Sequence, residues 1–137
     1  MLALRVLAAC RRLRPMGSRY ANEQALIQQW LDAVALGLRT HAALGHEIAL
    51  CGRLIKGYGS TNERGKNNLL HVLQHLADAP ALADPLARAR AIAAARTAAL
   101  QDEAGTQFDA TLRAHGAPAR PVPEQPIRWM RKPRTAE

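Results

Sequence analysis

A chain of 137 residues is one domain by length, and its core must be aliphatic, because 48% of the residues are hydrophobic but only 4% aromatic. Leu, Ile, Val and Ala in these proportions favour helix over strand. The formal net charge of +8 and pI near 10.7 suit an anionic partner, whether nucleic acid, a phosphate-bearing ligand or an acidic protein face, and charge alone does not choose among these. Two distant cysteines, Cys10 and Cys51, exclude a disulfide framework and a zinc knuckle and suit a cytoplasmic setting, and no apolar run reaches the ~18 residues that span a bilayer.

The first element is a basic helix with Ala3, Val6, Leu7, Cys10 and Leu13 on one face. "LAAC" at Leu7–Cys10 imitates a lipoprotein box, and the acid-free, arginine-rich start imitates a transit peptide. Arg5 interrupts the first pattern, and a basic first helix accounts for the second. Pro15 and Gly17 break this helix.

An amphipathic helix follows from about Tyr20 to Arg39, its stripe formed by Ile27, Leu31, Val34 and Leu38 with Trp30 at the edge. After a short connection near Thr40, Leu44, Ile48, Cys51, Ile55 and Tyr58 mark a third helix, antiparallel to the second. Gly57 and Gly59 end it, and Ser60 with Glu63 has capping-box spacing for a fourth helix that carries Leu69, Leu70, Leu73 and Leu76 to Pro80. Asp84 before Pro85 is an N-cap with proline at the first helical position. The long alanine-rich helix that it opens, weakened at Gly105, runs to His115 and Gly116. The expected fold is all-α, a small bundle of four to five helices over residues 1–116, with a Pro-rich basic extended tail over 117–137.

The corner from Arg53 to Gly65 is the main candidate site. Five residues separate Gly59 from Gly65 where a Walker loop has four, and Asn67 follows Lys66 where that loop has Ser or Thr. A looser anion site remains, with Ser60, Thr61 and the backbone N–H groups opening the fourth helix, and charge from Arg53, Lys56 and Arg64. The competing reading makes Gly57-Tyr58-Gly59 a tight turn whose tyrosine packs and whose charges are solvated.

His71 and His75 have the spacing of two helical zinc ligands, but the residues between them lack the glutamate of HExxH and no third ligand is nominated, so a polar face is expected. His46 beside Glu47 is read in the same way. Ser18, Ser60, Cys10 and Cys51 sit in no nucleophile motif, and Cys51 is expected to be buried and inert. In the tail, Trp129 and Met130 between Arg128 and Arg131 make either a basic-rimmed anchor for an acidic groove or a solubilising end.

"SRYANEQALIQQWLDAV" and "RLIKGYGSTNERG" together resemble the C-terminal helical region of the beta subunit of indolepyruvate oxidoreductase, a 2-oxoacid:acceptor oxidoreductase. The residues that carry the resemblance are Arg19, Tyr20, Glu23, Gln24, Trp30 and Leu31, then Leu54, Ile55, Lys56, Gly57, Tyr58, Gly59, Thr61, Arg64 and Gly65, within a similarity extending over about Leu2–Leu76. A basic helix precedes the Arg-Tyr pair in that family too, so residues 1–19 resemble domain more than address. Ser60 departs from the acidic residue expected there; both cap a helix, but the charge is lost.

The resemblance implies a detached or truncated piece of an enzyme that oxidatively decarboxylates arylpyruvates with coenzyme A and a ferredoxin-type acceptor. The family's α/β domain would lie ahead of this helical region. Thiamine diphosphate, the iron–sulfur cluster and coenzyme A would belong to the parent complex, since no cysteine cluster here could hold a cluster and no catalytic constellation is apparent. The expected role is structural, with the alpha subunit or the missing α/β domain as partner. Arg53, Lys56, Gly57, Tyr58, Gly59, Ser60, Thr61, Arg64 and Gly65 would form the anion or subunit contact. The alternative reading is a small basic nucleic-acid-binding helical protein.

Overall fold

The computed structural model describes residues 17–79 and 82–122, and the expected first helix and the Trp129–Met130 arm lie outside them. Within the described residues the protein is a small all-α bundle of five α-helices. No described helix is long and apolar enough to cross a membrane.

Helix α1 spans Ser18–Thr40 and α2 spans Ala42–Leu50. A single extended residue, His41, separates them, and its Nδ1 accepts from the Ala43 N–H at 3.1 Å, so it ends one helix and caps the next. The two helices run back antiparallel: Gly37 meets Gly45 near the corner, while Trp30, two turns earlier, donates from Nε1 to the Ile48 carbonyl at 2.9 Å. A Cβ on Gly37 would lie 2.9 Å from the Gly45 Cα, so glycine is what permits the close crossing.

That crossing corrects the expected stripe of α1. Leu26, Trp30, Ala33, Val34 and Gly37 face inward, whereas Ile27, Leu31 and Leu38 are 43%, 47% and 54% exposed. Hydrophobicity pointed to the larger side chains, but close packing at Gly37 rotates the helix by one position. The second stripe also breaks. Leu44, Ile48 and Cys51 are buried as expected, but α2 ends at Leu50 and tightens into a 3-10 turn, Cys51–Leu54, after which Ile55 is extended.

Helix α3, Gly59–Val72, continues through a wider π-type turn, Leu73–Ala77. Its N-cap is Tyr58 and not Ser60, because the chain turns into the helix two residues earlier than the capping-box spacing predicts. Ser60 is left in the first turn, and Glu63 pairs with Lys66 instead.

Helix α4, Pro85–Gln101, starts as the sequence indicates: Asp84 accepts from the N–H groups of Leu86 and Ala87, both at 3.1 Å. Asp84→Ala is expected to cost about 1 kcal/mol and lower Tm by roughly 5 °C, read by thermal denaturation. The expected long helix is in fact two. Gly105 takes φ +81° and the Asp102 carboxylate accepts from the N–H groups of Ala104 and Gln107, both at 2.9 Å, so a new helix, α5, begins over Thr106–Ala114. Those backbone donors, Gln107 first, hold the Asp102 pKa below its ordinary value.

Gly116, with φ +76°, ends α5 in a Schellman arrangement, its N–H bonding Arg113 O and that of Ala117 bonding Leu112 O. The core joins Leu44, Ile48, Leu54, Leu69, Val72 and Leu76 to Ile92, Ala95, Phe108 and Leu112. Alanine on the buried face of α4 (Ala91, Ala95, Ala98) lets that helix sit close to its neighbours.

Candidate functional site

The corner between the 3-10 turn and α3 places the predicted residues individually. Gly57 and Gly59 take φ of +72° and +57°, which explains both glycines: the chain reverses through left-handed backbone that other residues adopt at a cost. Tyr58 between them is 96% exposed, so it does not pack against the bundle. Thr61 sits with its methyl against Gly57, and Asn62 Nδ2 reaches the Gly57 carbonyl at 3.4 Å. Gly65 is buried, with α3 lying so close to the 3-10 turn that a Cβ would collide with the Leu54 carbonyl oxygen.

The positive charges at the corner do not share one direction. Arg64 reaches toward Glu103 at 3.9 Å, beyond α4. Arg53 and Lys56 are exposed and have no ion-pair partner among the described residues. Ser60 is exposed on the first turn of α3. The turn function of the glycines and the exposure of the lysine are therefore separable. Lys56→Ala is expected to leave Tm within roughly 1 °C, whereas Gly59→Val, forced into left-handed backbone, should cost about 1–2 kcal/mol; thermal denaturation of the two variants checks both.

Lys66, which in the sequence enters only as the lysine of a failed Walker pattern, organises the start of α1 against α3. Its Nζ donates to Glu23 at 3.1 Å and to Glu63 at 3.3 Å, and Glu23 also meets Arg19 at 3.5 Å. The hydrogen bond from Lys66 lowers the Glu23 pKa, and the same bond raises that of Lys66. The spacings Arg19–Glu23 and Glu63–Lys66 were visible as helical neighbours, but the link between them crosses 43 residues. These groups border an open polar groove of about 590 Å³ that also contains Asn22 and Asn67.

A second, apolar groove of about 360 Å³ lies between α1 and the 3-10 turn, walled by Leu26, Ile27, Trp30, Leu50, Ile55 and Leu69. Trp30 is fixed there by its bond to Ile48, and a Cβ on Gly52 would come within 2.8 Å of the indole ring.

The remaining candidates have structural partners. His71 is buried, its Nε2 is 2.6 Å from the Pro118 carbonyl, and its ring lies 4.3 Å from that of His75. Burial first, and His71 second, push the His75 pKa down. Among the described residues no three His, Cys, Asp or Glu side chains gather as a metal group. Glu47, beside His46, forms a largely buried ion pair with Arg96 of α4. Cys51 is fully buried, its thiol donates to the Glu47 carbonyl at 3.3 Å, and burial pushes its pKa up to about 12, far from the thiolate chemistry of a nucleophile.

Residues 117–122 contain no helix, yet they are tied to the bundle. Ala117 is buried, and Arg120 donates to both Asp109 carboxylate oxygens, to Asn68 Oδ1 at 3.3 Å and to the Gly105 carbonyl at 3.1 Å, with its guanidinium 5.3 Å from the Phe108 ring centroid. No sequence signal announces this clasp, which joins α3, the α4–α5 break and α5.

What the described surface offers is binding chemistry: two exposed cations and an exposed tyrosine at the corner, an apolar groove and a polar one. The protein is a small helical bundle with an open apolar flank on α1. It belongs to DUF6537, a family of unknown function, which matches residues 1–75 and so takes in α1, α2, the corner and α3. No curated protein and no solved structure matches the chain.

Proposed function

We propose that this chain is a non-catalytic helical accessory domain that docks on a larger protein, and that the larger protein is a 2-oxoacid oxidoreductase of the indolepyruvate type. The observation that carries the docking role is the apolar flank of α1. Ile27, Leu31 and Leu38, each more than two-fifths exposed, leave large aliphatic surface on one side of a well-packed bundle.

The kind of partner rests on the resemblance of the sequence. Several of the residues that carry it hold the architecture: Glu23 anchors Lys66, Trp30 bonds Ile48, and Leu54 with Gly65 sets the contact of the 3-10 turn with α3. Such roles suit a domain that shapes an assembly. Lys56 and Tyr58 would then meet the alpha subunit or an α/β domain, with thiamine diphosphate, iron–sulfur and coenzyme A chemistry housed in that partner.

Affinity capture of the full chain from its native cell extract, washed at low and high salt, tests this reading. Retention of a thiamine diphosphate-binding, iron–sulfur subunit through the high-salt wash is the expected result. Recovery of nucleic acid that salt removes, with no such subunit, would replace it with the basic nucleic-acid-binding reading that the +8 charge favours.

A further inference from the structure

The apolar groove beside Trp30 carries a more specific statement. Trp30 is locked by its hydrogen bond to the Ile48 carbonyl, so this wall is preformed. Among the described residues Arg53 is the one charged side chain lining the groove, and no acid lines it. Glu23, one turn before Ile27, is already held by Arg19 and Lys66. Arg53 thus gives the groove a positive edge with no ion-pair partner among the described residues, exposed Lys56 follows the lining residue Ile55 in the chain, and Ile27 and Leu31 extend the apolar surface outward.

We propose that this groove receives an amphipathic helix with acidic flanks from a partner protein, its apolar ridge against Trp30 and Ile27 and its carboxylates toward Arg53 and Lys56. Charge selects this occupant over those the chain itself could supply. Residues 1–16 contain Arg5, Arg11, Arg12 and Arg14 and no acid, and residues 123–137 contain Arg128, Arg131, Lys132 and Arg134 against Glu124 and Glu137. A second copy would bring another +8. Each would set positive charge against a positive edge. The inference shares with the proposed function only the need for a protein partner; an acidic helix would satisfy it whether or not that partner is an oxidoreductase.

The test uses two fluorescein-labelled amphipathic peptides of roughly 16 residues, with the same leucine ridge and either glutamate or lysine on the flanks, titrated into the full chain by fluorescence anisotropy. The glutamate peptide is expected to bind at least about tenfold more tightly than the lysine peptide and to weaken with salt. Ile27→Glu, at an exposed position and checked for unchanged far-UV circular dichroism, should abolish that binding. Arg53→Glu, on the surface and without a partner to lose, should reverse the preference between peptides. Equal binding of both peptides, or binding untouched by both substitutions, overturns the proposal. So does a gain of about tenfold or more for either peptide on removing residues 1–16, which would make that segment the occupant, or loss of a dimer in the Ile27→Glu variant by sedimentation, which would make it a second copy.

Discussion

Gly65→Ala is expected to destabilise the bundle by about 3 kcal/mol, lowering Tm by more than roughly 10 °C in a thermal melt. The added Cβ meets the Leu54 carbonyl oxygen and comes within 3.2 Å of the Ile55 Cα, so backbone and not a flexible side chain must move. Relief requires α3 to shift away from the 3-10 turn, and that shift loosens Leu54, Leu69 and Val72 in the core. The nearby Gly57 and Gly59 offer an internal contrast. A Cβ at Gly59 meets nothing within 4 Å, so only its left-handed backbone opposes substitution there. A Gly65→Ala variant as stable as the native chain would mean that α3 and the turn are not in close contact.

Arg120→Ala should have an effect of similar size, about 2–3 kcal/mol, because it strips the partly buried Asp109 carboxylate of its guanidinium donors, leaving only the residue 120 backbone N–H, and takes the donor from the Asn68 amide oxygen. The pH dependence separates this from a simple loss of packing. The hydrogen bonds from Arg120 hold the Asp109 pKa below its ordinary value. A carboxylate depressed in the folded state contributes stability that is fully present above its unfolded pKa, about 4, and is lost as pH falls through the folded value. The native chain should therefore lose part of its stability below about pH 4, and Asp109→Asn, already weaker at neutral pH, should lose less over that range. Chemical denaturation at several pH values reads both. Identical acid slopes for the two chains would remove Asp109 from this account.

The helices that the sequence announced well are those whose ends are local. Asp84-Pro85 and Gly116 act within one turn of themselves, and both work as read. The corner at Thr40–His41 was equally legible in position. The face of α1 was not, because the decisive contact is Gly37 on Gly45, and small residues carry no hydrophobic signal. The break at Gly105 was visible as a weak point, but its strength comes from Asp102 reaching over to Gln107. Tyr58 was assigned to an apolar stripe by spacing alone; the shift to a 3-10 turn at Cys51 takes it off that stripe. Of the candidate site, the glycines were legible because positive φ is a local demand. Lys66 and Arg120 were not, since the ties by which they join separate helices reach to Glu23, 43 residues away, and to Asn68, 52 residues away.

The core is shared across the limit of the family match, and this bears on how the chain acquires its structure. Residues 1–75 include Leu44, Ile48, Leu69 and Val72, but the side chains that complete their cluster, Ile92, Ala95, Phe108 and Leu112, come from α4 and α5. Four polar ties cross the same limit: Glu47 to Arg96, Arg64 to Glu103, Asn68 to Arg120, and His71 to the Pro118 carbonyl. Residues 1–75 alone are accordingly expected to leave the apolar surface of Leu44, Ile48, Leu69 and Val72 open and to show no cooperative thermal transition, whereas the full chain is expected to melt in one.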